Sequence, residues 1–181
     1  VGDNAIITYD SALNEKETYG SKSAKDKWFD SPEKVFSENG NVAVWDKSNA
    51  RVQFFFGDGT YKKLSVSKNA TSVAVNTTHT AYTDGKKVYV VNNADFSLRE
   101  INTDKNVGAI SLTNDAVAIY DKNSKAIYTA GLSGNEFSLF AYSRAGVTEI
   151  KAIGGTNPTV YTLASGILSA VTKTTDFSVS V

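Results

Sequence analysis

The sequence predicts an all-β fold of stacked antiparallel hairpin repeats of about 37 residues, a small or partial β-propeller-like form, with a β-sandwich as the alternative. Three observations predict it. Similar ribbons surround Asp46 (Val-Ala-Val-Trp-Asp, then Ala-Arg-Val-Gln-Phe-Phe-Phe), Asp84 (Thr-Ala-Tyr-Thr-Asp-Gly-Lys-Lys-Val-Tyr-Val-Val) and Asp121 (Val-Ala-Ile-Tyr-Asp, then Lys-Ala-Ile-Tyr-Thr), with a fainter copy at Asp10. The turn aspartates stand 36, 38 and 37 residues apart, a spacing near that of small repeated sheets. The strands are also apolar on both sides: Val42 and Val44 oppose Ala43 and Trp45, and Val117 and Ile119 oppose Ala118 and Tyr120. A half-exposed meander alternates apolar with polar, so these strands require cover on both faces.

Residues 1–181 read as a single all-β domain. Ala5 to Tyr9 is the first strand candidate, with a turn at Asp10 and Ser11. Residues 14–38 read as a polar irregular segment, dense in charge and pinned by Trp28. Within it Ser31-Pro32-Glu33 has the chemistry of a helix start: a capping hydroxyl, a proline at the first helical position and an early acid. The expectation is one short helical turn there. Tyr61 to Ser67, Thr71 to Asn76, Ser97 to Asn102 and Ala109 to Thr113 supply outer strands, and Gly57-Asp58-Gly59 a strand-end turn. Asp84-Gly85 suits a tight hairpin through positive backbone angles. Beyond Gly131 the aspartate spacing breaks, and Phe137 to Tyr142 with Val147 to Ile153 reads as one more hairpin turning at Ser143–Gly146. Residues 152–181 form a charge-poor C-terminal assembly segment. No charge occurs from Ala152 to Thr172. The final residues alternate so that Phe177, Val179 and Val181 share a face, a strand suited either to completing the first sheet within the chain or to adding to an exposed edge of another subunit.

Trp45-Asp46 resembles the dipeptide of WD repeats. The other units carry Tyr-Asp or Tyr-Thr-Asp and the Gly-His partner is absent, so the resemblance is to an architecture and no family is assigned.

Composition narrows the function. With 19 basic and 19 acidic residues the formal net charge is zero, so no field favours nucleic acid. No apolar run is long enough to span a bilayer, and no membrane insertion is expected. Cysteine is absent, which removes disulfides, thiolate metal sites and cysteine nucleophiles. His79 is the single histidine, and no Gly-x-Ser-x-Gly elbow exists. Repeated turn aspartates suit scaffolding, because an Asp side chain can bond its own backbone two residues on. Asn102-x-Asp104-x-Asn106 alternates oxygen donors, but its glycine falls one place late for a calcium loop and no glutamate closes the shell. No catalytic residue, metal site or cofactor is expected.

The expected function is a non-enzymatic structural component of an extracellular or virion assembly, a homo-oligomer or a partner of other assembly proteins, contacting neighbours through β-edges and the C-terminal segment. The alternative is a lectin-like module that binds a surface glycan by stacking sugar on Trp45, Tyr82 and Tyr120, which lie just before the repeat aspartates. Burial of the same rings as cross-strand partners is the competing expectation.

Overall fold

A computed structural model describes residues 4–20, 22–155 and 157–173, and those residues form strands and turns with no helix. The chain divides into two compact units, Val1–Ala70 and Thr71–Val181.

In the first unit, β1 (Ile6–Tyr9) and β2 (Glu15–Tyr19) form a two-stranded antiparallel sheet. A four-stranded meander follows: β3 (Pro32–Glu38), β4 (Asn41–Asp46), β5 (Arg51–Phe55) and β6 (Tyr61–Ser65). The β3–β4 turn is Asn39-Gly40, with φ of 50° and 76°, the double positive pair that a tight hairpin takes most readily at Asn-Gly. Residues 14–38 are therefore less irregular than their charge suggests. The expected helical turn at Ser31-Pro32-Glu33 is instead the start of β3. Ser31 has φ of 60°, and Pro32 occupies the first strand position, where a missing N–H costs little. Pairing with β4, as in Val35↔Val44 and Phe36↔Ala43, overrides the local capping chemistry. The anchor also differs from expectation. Phe29 is fully buried with Ile6, Val44 and Phe55, whereas Trp28 is 41% exposed with the Lys25 ammonium over its ring. Gly20, at φ 93°, lies so close that a Cβ there would collide with the Phe29 ring.

The second unit holds three sheets in chain order. The first is β7 (Ser72–Val75), β8 (His79–Thr83), β9 (Lys87–Asn92) and β10 (Leu98–Asn102). The next is β11 (Val107–Leu112), β12 (Ala116–Asp121), β13 (Ala126–Gly131) and β14 (Ser138–Tyr142). The last is β15 (Val147–Ile153), β16 (Thr159–Ala164) and β17 (Ile167–Val171). Strand β11 lies against β7 and β15, so the first strands of successive sheets run side by side, as in propeller blades. The two faces of β12 feed different cores. Val117 and Ile119 pack with Val88, Val90 and Ile101, while Ala118 and Tyr120 pack with Ile127, Phe140, Ile150 and Val160.

The expected hairpin of Phe137–Tyr142 with Val147–Ile153 does not form. Strand β14 pairs with β13 (Tyr128↔Leu139) and β15 with β16 (Lys151↔Tyr161), so Ser143–Gly146 is the boundary between two sheets. The repeat does not break there. First strands begin at Pro32, Ser72, Val107 and Val147, and only the aspartate marker is lost, because Ser165-Gly166, with φ of 50° and 78°, turns β16 into β17.

Candidate functional site

Asp46, Asp84 and Asp121 occupy corresponding places, at or just beyond the end of the second strand of each four-stranded sheet, whereas Asp10 follows the first strand of the two-stranded sheet. Asp46 and Asp121 each close a turn whose last residue, Ala50 or Lys125, has positive φ. Asp121 accepts hydrogen bonds from the amides of Asn106 (2.9 Å), Asn123 (3.1 Å) and Ser124 (3.2 Å) and from the Ser124 hydroxyl (2.6 Å). Burial pushes its carboxyl up, but these donors outweigh that and hold it below the usual carboxylate range. Asp84 works differently from the expected tight Asp-Gly turn. Only Gly85 takes positive φ, while the Asp84 carboxylate accepts the amides of Lys86 (3.0 Å) and Lys87 (2.9 Å). Asp10 accepts the amides of Ala12 and Asn14, both at 2.9 Å. The carboxylates of Asp10, Asp84 and Asp121 thus each accept amides of their own turns, which is a scaffolding role.

Asp46 does more. It is fully buried and accepts from Asp30 N (2.7 Å), Asn49 Nδ2 (2.9 Å), Arg51 Nε (2.9 Å) and Gln53 Nε2 (3.3 Å). Arg51 in turn donates to the carbonyls of Ala24 (2.9 Å), Lys25 (2.8 Å) and Trp28 (2.7 Å). Gln53 accepts the Lys27 amide (2.9 Å) and the Tyr61 hydroxyl (2.7 Å). This network ties the segment before β3 to β5. Nothing in the sequence pattern singled out Arg51 or Gln53; the available signal was a charged and an amide residue inside an otherwise apolar strand.

The three candidate rings, Trp45, Tyr82 and Tyr120, are not displayed. Trp45 and Tyr120 are each 1% exposed, so neither ring offers a face to a sugar. Tyr120 donates its hydroxyl to the Arg144 carbonyl (3.0 Å). Tyr82 is buried and stacks on Tyr89 at 4.7 Å, the cross-strand partnership that competed with glycan stacking. Phe177, Val179 and Val181 lie outside the described residues.

His79 contacts the Thr78 hydroxyl (2.9 Å), and burial, then Arg99, lowers its pKa. Among the described residues no group of three His, Cys, Asp or Glu side chains could hold a metal ion. Asp104 instead pairs with Lys105 (2.6 Å). Its loop does line an open polar cleft of about 430 Å³ in the second unit, with Lys86, Thr103, Lys105, Asn106 and Asn123.

A second surface feature is the outward face of the last sheet. Cross-strand pairs Leu163↔Leu168, Tyr161↔Ala170 and Ile153↔Thr159 place these side chains on one side. Ile153, Leu163 and Leu168 are 56%, 37% and 69% exposed. On the opposite side Ile150, Ala152, Val160 and Ala164 are buried, while Ile167 beside Ala164 on the edge strand is half exposed.

No protein-family model and no curated protein matches the chain. Among solved structures it is similar to virginiamycin B lyase from Staphylococcus aureus, with 14% identity and a TM-score of 0.62, covering 96% of this chain and 64% of that one. It is also similar to Saccharomyces cerevisiae Sqt1, with 12% identity and a TM-score of 0.65, covering 96% and 54%. Kluyveromyces lactis Hsv2 shares 8% identity with a TM-score of 0.64, covering 94% and 55%. The chain thus spans 54 to 64% of the length of these neighbours. At such identities the likeness shows the fold alone: an all-β chain of β-propeller-like sheets.

Proposed function

We propose that this chain is a non-enzymatic structural subunit of an extracellular or virion assembly, and that the outward face of sheet β15–β17 docks on the same face of a second copy. The observation that supports this reading is a sheet packed on its inner side that also displays leucines on its outer side. Within the second unit Ile150, Val160 and Ala164 of its inner face pack with Tyr120, Ile127 and Phe140, while Leu163 and Leu168 are exposed on the other. Sheets of this kind gain by being covered twice. Burying one leucine fully contributes about 1.5–3 kcal/mol.

A second copy suits the chemistry of the face. The part of the face from residues 152–172 carries no charge, and a twofold axis would set each Leu168 against the other copy's face. Glu149 and Lys151 stand on the same face, cross-strand from Leu163 and Tyr161, and bring one charge of each sign to its β15 edge. The polar connections and zero net charge support a setting outside the cell or in a virion. The non-enzymatic part is supported by the repeat carboxylates, all of which are engaged in hydrogen bonds.

Mass measurement by light scattering across 1–200 μM tests it. A concentration-dependent dimer that Leu163→Lys/Leu168→Lys converts to monomer, with the circular dichroism spectrum unchanged, is the expected result. A wild-type chain that stays monomeric throughout would refute it.

A further inference from the structure

We infer that the polar cleft lined by Lys86, Thr103, Asp104, Lys105, Asn106 and Asn123 binds a sugar residue bearing a carboxylate, with Lys86 on the carboxylate and the amides on ring hydroxyls. This goes beyond the assembly reading and uses a different surface, at the turns rather than on the last sheet. Its lining comes from the β8–β9 turn, the β10–β11 loop and the β12–β13 turn, and the volume of about 430 Å³ lies within the range of small-molecule sites.

The walls are held before any ligand arrives. The Val107 amide donates to the Gly85 carbonyl (2.8 Å), and the Lys122 amide to the Asn106 carbonyl (2.9 Å). Asp121 receives the amides of both Asn106 and Asn123, at 2.9 and 3.1 Å. The three contributing segments are therefore cross-linked by main-chain bonds, so a ligand has side chains such as Lys86 to order but not the backbone.

The lining sets the ligand class. Its charged groups are two ammoniums against one carboxylate. Asp104 is matched by Lys105 at 2.6 Å, which leaves Lys86 with no ion-pair partner among the described residues. An ammonium so placed makes its strongest hydrogen bonds to an anionic oxygen. The neutral groups are two amides and a hydroxyl. Asn106 Nδ2 donates to Asn123 Oδ1 (3.3 Å), leaving Asn106 Oδ1 to accept and Asn123 Nδ2 to donate. That donor and acceptor pair is the complement of neighbouring hydroxyls, each of which gives and takes a hydrogen bond. No aromatic or aliphatic residue lines the cleft, and the carbon atoms of its polar side chains supply most of the wall between the polar groups.

Titration of the full chain, followed by amide chemical shifts, tests the assignment. The probes are oligogalacturonate, glucuronate and N-acetylneuraminate, with a neutral galactose oligomer and inorganic phosphate as comparisons. The expected result is saturable shifts confined to residues around 86, 103–106 and 123 with at least one acidic sugar, weaker with both comparisons. Lys86→Gln should lower that affinity by about tenfold or more, the loss of a hydrogen bond to a charged group. Lys68→Gln, at an exposed lysine outside the cleft, should leave it unchanged. The inference is overturned if none of the three acidic sugars shifts these amides, if the neutral oligomer or phosphate binds equally well, or if Lys86→Gln binds as wild type. The same spectra report whether each variant is folded.

Discussion

Replacing Arg51 by methionine tests the buried network in the first unit. The substitution keeps an apolar stem and removes the guanidinium, which is the 2.9 Å partner of a carboxylate with no exposure and the donor to three carbonyls. Breaking a buried pair from one side costs about 3–5 kcal/mol, because the remaining charge keeps its desolvation and loses its compensation. Asp46 retains donors at Asp30, Asn49 and Gln53, which places the expected loss at the lower end, about 3 kcal/mol. With a urea dependence of about 1.5 kcal/mol/M, the midpoint should fall by about 2 M. Both tryptophans, Trp28 and Trp45, lie in Val1–Ala70, so intrinsic fluorescence follows this unit. Lys63→Met is the comparison. Its ammonium pairs with Asp26 at 2.7 Å, but the two side chains are 53% and 52% exposed, and such a pair contributes about 0–1 kcal/mol. If the two variants unfold within about 1 kcal/mol of each other, burial is not what gives the Asp46–Arg51 pair its weight.

Two further outcomes concern the second unit. Ile119→Ala, at a fully buried position between β11 and β13, should cost about 2–5 kcal/mol by denaturation followed in the far ultraviolet, and a loss below about 1 kcal/mol would mean that this strand face is not tightly covered. Asp121→Asn addresses pH. Because the folded carboxyl titrates below its unfolded value, its contribution is complete above the unfolded pKa and is lost as pH falls through the folded one. The stability gap between wild type and Asp121→Asn should therefore be widest near neutrality and narrow below about pH 5. A gap independent of pH would show that the charge of Asp121 does not matter.

The repeat was legible because it is written in local chemistry. A turn aspartate can bond its own backbone whatever surrounds it, and strands apolar on both sides announce that two other layers must cover them. Ile119 and Val44, both fully buried, meet that expectation. The same local logic misled at Pro32, where a capping pattern became a strand because β4 offered a ladder, and at Ser143–Gly146, where a turn between two strand-like runs separates two sheets. Which strands pair is decided by contacts between residues distant in the chain, and a sequence window does not contain them.

The candidate sites divide along the same line. Trp45 and Tyr120 carried an ambiguous signal, because an aromatic ring before a turn suits a ligand platform and a packed core equally well; only burial, at 1% exposure for each, distinguishes them. The polar cleft was legible only as an imperfect calcium pattern at Asn102–Asn106. Lys86 and Asn123 join that loop through the folding of three separate segments. By itself the sequence determined the all-β class, the period and the turn-bonding role of Asp10, Asp84 and Asp121, since each depends largely on neighbours within a few residues. Tertiary structure alone decided which leucines stay in water, which ammonium lacks a partner and which carboxylate is sealed away, because exposure and pairing arise only when distant strands are brought side by side.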